Sequence, residues 1–116
     1  MLNPEPVRSI PILIGGGGEK KTLQYIAKGG DVWHFWWGDE WAHKNDVLIN
    51  WCEKLGRDHT QIKRSVGVDA DKIEDFDALF AGLAEAPIDE ITVGTGGPDY
   101  DLDKFTKFLE FRDSLR

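Results

Sequence analysis

The chain is predicted to fold as an α/β protein with a parallel sheet. Three observations lead there. Short apolar runs alternate with segments whose apolar residues repeat at helical spacing, a pattern that implies strand-helix units joined by right-handed crossovers. The first run, Ile10 to Ile14, is almost continuously apolar, as strands buried on both faces are. Each proposed strand also meets glycine at its C-terminal end, at Gly15, Gly38, Gly67 and Gly94, which gathers bare backbone on the rim where parallel α/β folds hold ligands.

Taken in order, the first strand covers Ile10 to Ile14, with Pro11 tolerated near its beginning. A helix opening at Glu19 carries Leu23, Ile26 and Ala27 on one face and is stopped by Gly29 and Gly30. The second strand runs from Asp31 to Trp37, and its helix repeats Trp41, Leu48, Trp51, Cys52 and Leu55 before Gly56. Ile62 to Val68 forms the third strand, followed by the stripe Phe76, Leu79, Phe80 and Leu83 closed by Pro87. Ile88 to Val93 is the fourth, with Gly94-Thr95-Gly96-Gly97-Pro98 as its exit loop and Leu102, Phe105, Phe108 and Leu109 facing inward from a last helix. The sequence divides into an N-terminal extension, residues 1 to 9, and one domain, residues 10 to 116.

Composition removes several function classes. The net charge of -7 repels phosphate backbones and acidic membrane faces, so neither nucleic acid nor a membrane is an expected partner. Cys52, the only cysteine, excludes an intrachain disulfide and a cysteine-built zinc site and suits a reducing, cytoplasmic setting. No apolar run approaches the roughly 20 residues that span a bilayer, and the N-terminus lacks the apolar core of a secretory signal.

Gly15, Gly16, Gly17 and Gly18 present unencumbered N–H groups just before a helix N-terminus, a setting that favours an anion such as phosphate. Lys20 and Lys21 add positive charge, whereas the Glu19 carboxylate could itself satisfy the helix start. The loop is neither a Walker loop nor a dinucleotide fingerprint, and the competing reading is a tight turn made permissive by glycine.

The stretch PILIGGGGEKKTLQYIAKGGDVWHFWWG resembles the C-terminal half of the luciferase-like flavin- and deazaflavin-dependent oxidoreductases. That family's pattern is P-I-hydrophobic-I-G-G-G-G-E, then Lys/Arg-T-L, then A-x-x-(A/G)-D-x-W. The resemblance extends through Asp46 to Leu55, the Gly56-Arg57-Asp58 turn with His59 in place of the family's proline, and Ile62 to Val66. It implies half of a TIM-type (βα)8 barrel, with Gly15 to Gly18 around the phosphate of FMN or a deazaflavin coenzyme, and Trp37 and Gly38 approaching from the neighbouring strand. It further implies a monooxygenase or hydride-transfer oxidoreductase. A full barrel takes about 250 residues, and the chain has room for about four of the eight units, matching the family's last four. The half that supplies the ring wall and the substrate-side acid/base residues is therefore expected elsewhere. No catalytic residue is assigned. The chain by itself is expected to be weakly active or inactive, completed by homodimerisation or by a separate front-half chain. The alternative is a noncatalytic assembly module.

Other candidates carry two readings each. His34 is a core or rim histidine, or a catalytic one; His43 and His59 read as surface residues. Asp39 or Glu40 with His43 has helical spacing too common to define a metal site, and no metal is assigned. Trp36, Trp37 and Trp41 either wall a flat ring or cover an interface. Asp69, Asp71, Glu74, Asp75 and Asp77 read as helix caps and a solvated face; Asp99, Asp101 and Asp103 do the same for the last helix, with Asp101 as its cap. Gly94 to Gly97 is a second ligand loop or a simple turn.

Overall fold

A computed structural model describes residues 9–96 and 102–115. Four strands alternate with four helices: β1 (Leu13–Gly15), α1 (Thr22–Gly29), β2 (Val32–Trp36), α2 (Trp41–Leu55), β3 (Lys63–Asp69), α3 (Phe76–Glu85), β4 (Glu90–Gly94) and α4 (Asp103–Ser114). Single 3-10 turns precede and follow β3. All three strand pairs are parallel, and the sheet order is β1-β2-β3-β4. The α/β class and the parallel sheet follow the sequence reading.

The strand order never reverses, so it is not the order of a doubly wound sheet. Successive right-handed crossovers stepping in one direction put the helices on one face. That arrangement is compatible with half of a βα barrel. On the covered face, Trp33 and Val66 pack with Leu23 and Ile26 of α1, with Trp41, Leu48 and Cys52 of α2, and with Leu83 of α3. A smaller cluster joins Val68 and Ala70 to Phe108 of α4, where Phe80 stacks on Phe111 at 4.6 Å.

The local reasons are readable. Gly56 ends α2 in the left-handed conformation, φ +72°, which glycine reaches without steric cost. The next residue serves a second helix: Arg57 donates to the carbonyls of Ile26, Ala27 and Gly30 at 2.9, 3.2 and 2.8 Å, supplying donors to the open C-terminus of α1. Asp75 caps α3, accepting from Ala78 N–H at 3.1 Å.

Several boundaries move. β1 begins at Leu13 rather than Ile10, because Pro11 has no N–H and the Ile12 N–H donates to the Asp31 side chain at 2.8 Å. Helix α1 opens at Thr22, three residues after the expected Glu19. Gly67 lies inside β3 rather than at its end, for a packing reason given below. In α4 only Phe108 of the expected inward set is buried; Leu102 and Leu109 are exposed, and Phe111 takes the inward place against Phe80. The α4 cap falls at Leu102, while Gly97, Pro98, Asp99 and Asp101 lie outside the described residues, as does most of the N-terminal extension. Among the described residues no helix is long and apolar enough to cross a membrane.

Candidate functional site

The rim at the C-terminal ends of the strands begins with the glycine loop. Gly16 has φ +121°, a conformation that side chains rarely adopt; its N–H donates to the His34 carbonyl at 3.1 Å and its carbonyl accepts from Trp33 Nε1 at 2.8 Å. Gly17 runs against the Phe35 ring, where an added β-carbon would lie 2.6 Å from a ring carbon. Gly18 passes beside Thr22, and its carbonyl accepts from Leu23 N–H at 2.9 Å. The loop is thus fixed through its carbonyls and its lack of side chains. Two of its donors are left over: among the described residues the N–H groups of Gly17 and Gly18 have no protein acceptor.

Glu19 does not satisfy the start of α1. Its carboxylate accepts from Lys44 at 2.9 Å and pairs with His43 at 3.1 Å, and its carbonyl accepts from Trp51 Nε1 at 2.7 Å. The Lys44 and His43 hydrogen bonds hold the carboxyl below the usual carboxylate range. His43, whose pairing with Asp39 or Glu40 was the weak metal candidate, is engaged with Glu19 instead. No cluster of three metal-ligating side chains occurs among the described residues.

Trp37 and Gly38 follow the end of β2, the strand next to β1. Trp37 N–H extends the pairing to the Gly67 carbonyl at 2.9 Å. Its ring turns toward the helices, 5.5 Å from Trp41 and in contact range of Gly82. Gly38 has open space where a side chain would go. The tryptophan exposed on the uncovered face is Trp36, at 64%. Trp36, Trp37, Gly67, Asp69 and Lys72 border a cavity of about 480 Å³ beyond the ends of β2 and β3.

On the far side of the rim, Asp71 fixes the exit loop of β4. Its carboxylate accepts from Thr95 Oγ1 and Gly96 N–H, both at 2.7 Å, and Lys104 stands 3.8 Å away. The Gly96 and Thr95 hydrogen bonds hold this carboxyl below its ordinary range. Asp69 accepts from Asp71 N–H at 3.0 Å, capping the turn between them. Sequence reasoning read Asp71 as a helix cap; its partners lie 24 and 25 residues away, and no local signal points to them.

The close approach of Gly17 to Phe35 gives a direct check. Gly17→Ala is expected to destabilise the domain by about 1–3 kcal/mol, the cost of overpacking, whereas Gly38→Ala, with open space around it, should change stability by less than about 0.5 kcal/mol. Chemical denaturation of the two variants measures the difference.

No protein-family model matches the chain, and no curated protein matches it.

Proposed function

We propose that the chain is a luciferase-like oxidoreductase half-barrel whose glycine rim holds the phosphate of FMN or a deazaflavin coenzyme. The observation that carries this reading is the pair of unpartnered amides at Gly17 and Gly18, ahead of α1 on the rim of a parallel sheet. A phosphate there would accept from those amides and from the positive end of the helix dipole, with Lys20 and Lys21 close in sequence and exposed. Trp37 and Gly38 adjoin the same rim, and the cavity beside Trp36 offers room beyond it. Bound in this way, the cofactor would supply the hydride or oxygen chemistry. The chain's own residues would hold and orient it.

Four strands supply half of an eight-stranded ring, so the reading includes a partner. β1 and β4 each have one unpaired side among the described residues, and Ile12, Leu13 and Trp36 are exposed nearby or on the uncovered face. Two copies about a two-fold axis, or this chain with a separate front half, would join β4 of one unit to β1 of the next. These edges also favour a second reading, an assembly module without catalysis.

Titration with FMN, the deazaflavin coenzyme and riboflavin separates the readings. The phosphate site predicts that FMN binds at least about tenfold more tightly than riboflavin, which has the same ring and no phosphate, and that inorganic phosphate competes with FMN. Equal binding of FMN and riboflavin, or no binding of any of the three, would leave the assembly reading alone.

A further inference from the structure

Beside Gly15 of the glycine loop, the uncovered face of the sheet carries polar side chains that the cofactor rim does not use. Gly15, His34 and Ser65 are in register across β1, β2 and β3, and Glu90 follows on β4. Register partners on neighbouring strands share a face, so the imidazole, hydroxyl and carboxylate stand side by side. The inner layers of a parallel barrel are usually filled by branched aliphatic side chains. This row does not follow that packing rule.

Ser65 is 1% exposed, and its Oγ lies 2.9 Å from His34 Nδ1, its one protein partner among the described residues. A buried hydroxyl with a single partner puts its proton into that bond. Ser65 therefore donates to Nδ1, and the neutral ring carries its own proton on Nε2. If the ring is protonated, the Ser65 bond reverses and Nε2–H remains. His34 thus presents a donor at Nε2 in both charge states.

That donor has no protein partner among the described residues. It lies over Gly67, 3.1 Å from the place of a β-carbon there, and Trp36 lies over the same bare backbone at 2.9 Å. Any side chain at position 67 would displace both rings. The two rings meet edge to face at 6.4 Å. One polar hydrogen thus stands beside one exposed flat surface.

We infer that His34 Nε2–H binds the carbonyl oxygen of a neutral, ring-bearing ligand that rests against Trp36, with Ser65 as the positioning residue. The ligand is taken as neutral because Glu90, the one charged residue of the row, disfavours an anion beside His34 and Ser65. Its polar groups, His34 and Ser65, lie outside the glycine rim, while Trp36 also borders the cavity beside that rim; benzamide carries no phosphate, so its binding and that of FMN can fail separately.

The test is nitrogen-15 NMR of the histidine rings in the full-length protein, with benzamide as the probe and benzoate as its charged counterpart. In the free protein, at a pH where the ring is neutral, His34 should be the Nε2–H tautomer. Benzamide should shift the His34 Nε2–H and Trp36 indole N–H resonances, and benzoate should bind at least about tenfold more weakly. Ser65→Ala should mix the two tautomers and weaken benzamide about tenfold, with the Trp33 indole resonance unmoved as a sign of an intact fold. An Nδ1–H tautomer in the wild-type free protein would overturn the proposal without recourse to any variant. So would benzamide binding that leaves His34 unmoved, or no benzamide binding at all.

Discussion

Trp33→Ala is expected to lower the unfolding free energy by about 3–5 kcal/mol, the range for removing a fully buried large aromatic side chain. Trp33 is 0% exposed and stacks between Phe35 and Trp41, with ring centroids 5.9 and 5.8 Å away. It also ties the core to the rim, because its Nε1 donates to the Gly16 carbonyl. Alanine would leave a cavity under α1 and α2 and a bare carbonyl in the glycine loop. Trp33→Phe separates the two effects: it retains most of the ring volume and loses the hydrogen bond, worth about 0.5–1.5 kcal/mol. Urea denaturation of both variants measures the costs, and a loss below about 1 kcal/mol for alanine would show that Trp33 does not anchor the core.

Arg64→Met is the second large effect, at about 3 kcal/mol or more. Arg64 is 4% exposed at the beginning of β3, and its guanidinium serves neutral acceptors. Nε donates to Asn45 Oδ1 at 2.9 Å, Nη1 to the carbonyls of His59 and Ile62, and Nη2 to His59 Nδ1 at 3.1 Å. Burial pulls its pKa down, and Asp89, which accepts from the Arg64 backbone N–H at 2.8 Å, opposes that shift. Methionine keeps an unbranched apolar stem and offers no donor. Asn45 and the turn carbonyls before β3 would then remain buried without partners, at about 1–3 kcal/mol for each group that water cannot reach. An Arg64→Met protein as stable as the wild type in thermal unfolding would mean that solvent already satisfies those groups.

The order of elements was legible because each apolar stripe had one covered face to fill. The Leu23, Ile26 and Ala27 stripe and the Leu48 and Cys52 positions went where helical periodicity sends them. The extent of β3 was less legible, since Gly67 suggests a strand end until the His34 and Trp36 side chains are seen lying over it. Leu102 and Leu109 leave the inward face for another reason: Phe111, one turn beyond Phe108, competes for the same place and stacks on Phe80. The gathering of glycines on one rim was readable from strand-helix alternation. The partners of the polar groups there were not, because register decides them. Nothing local pairs Glu19 with Lys44, Asp71 with Gly96, or His34 with Ser65. Arg57 shows the same limit: a turn residue in the sequence, it supplies donors to a helix end 27 to 31 residues earlier.

Native mass spectrometry of freshly purified protein tests the central claim most directly, since one spectrum reports both subunit count and retained cofactor. The account predicts an assembly of two half-barrel chains carrying the added mass of FMN or a deazaflavin coenzyme. A bare monomer that also gains no mass from added FMN would contradict both the rim site and the assembly that completes it.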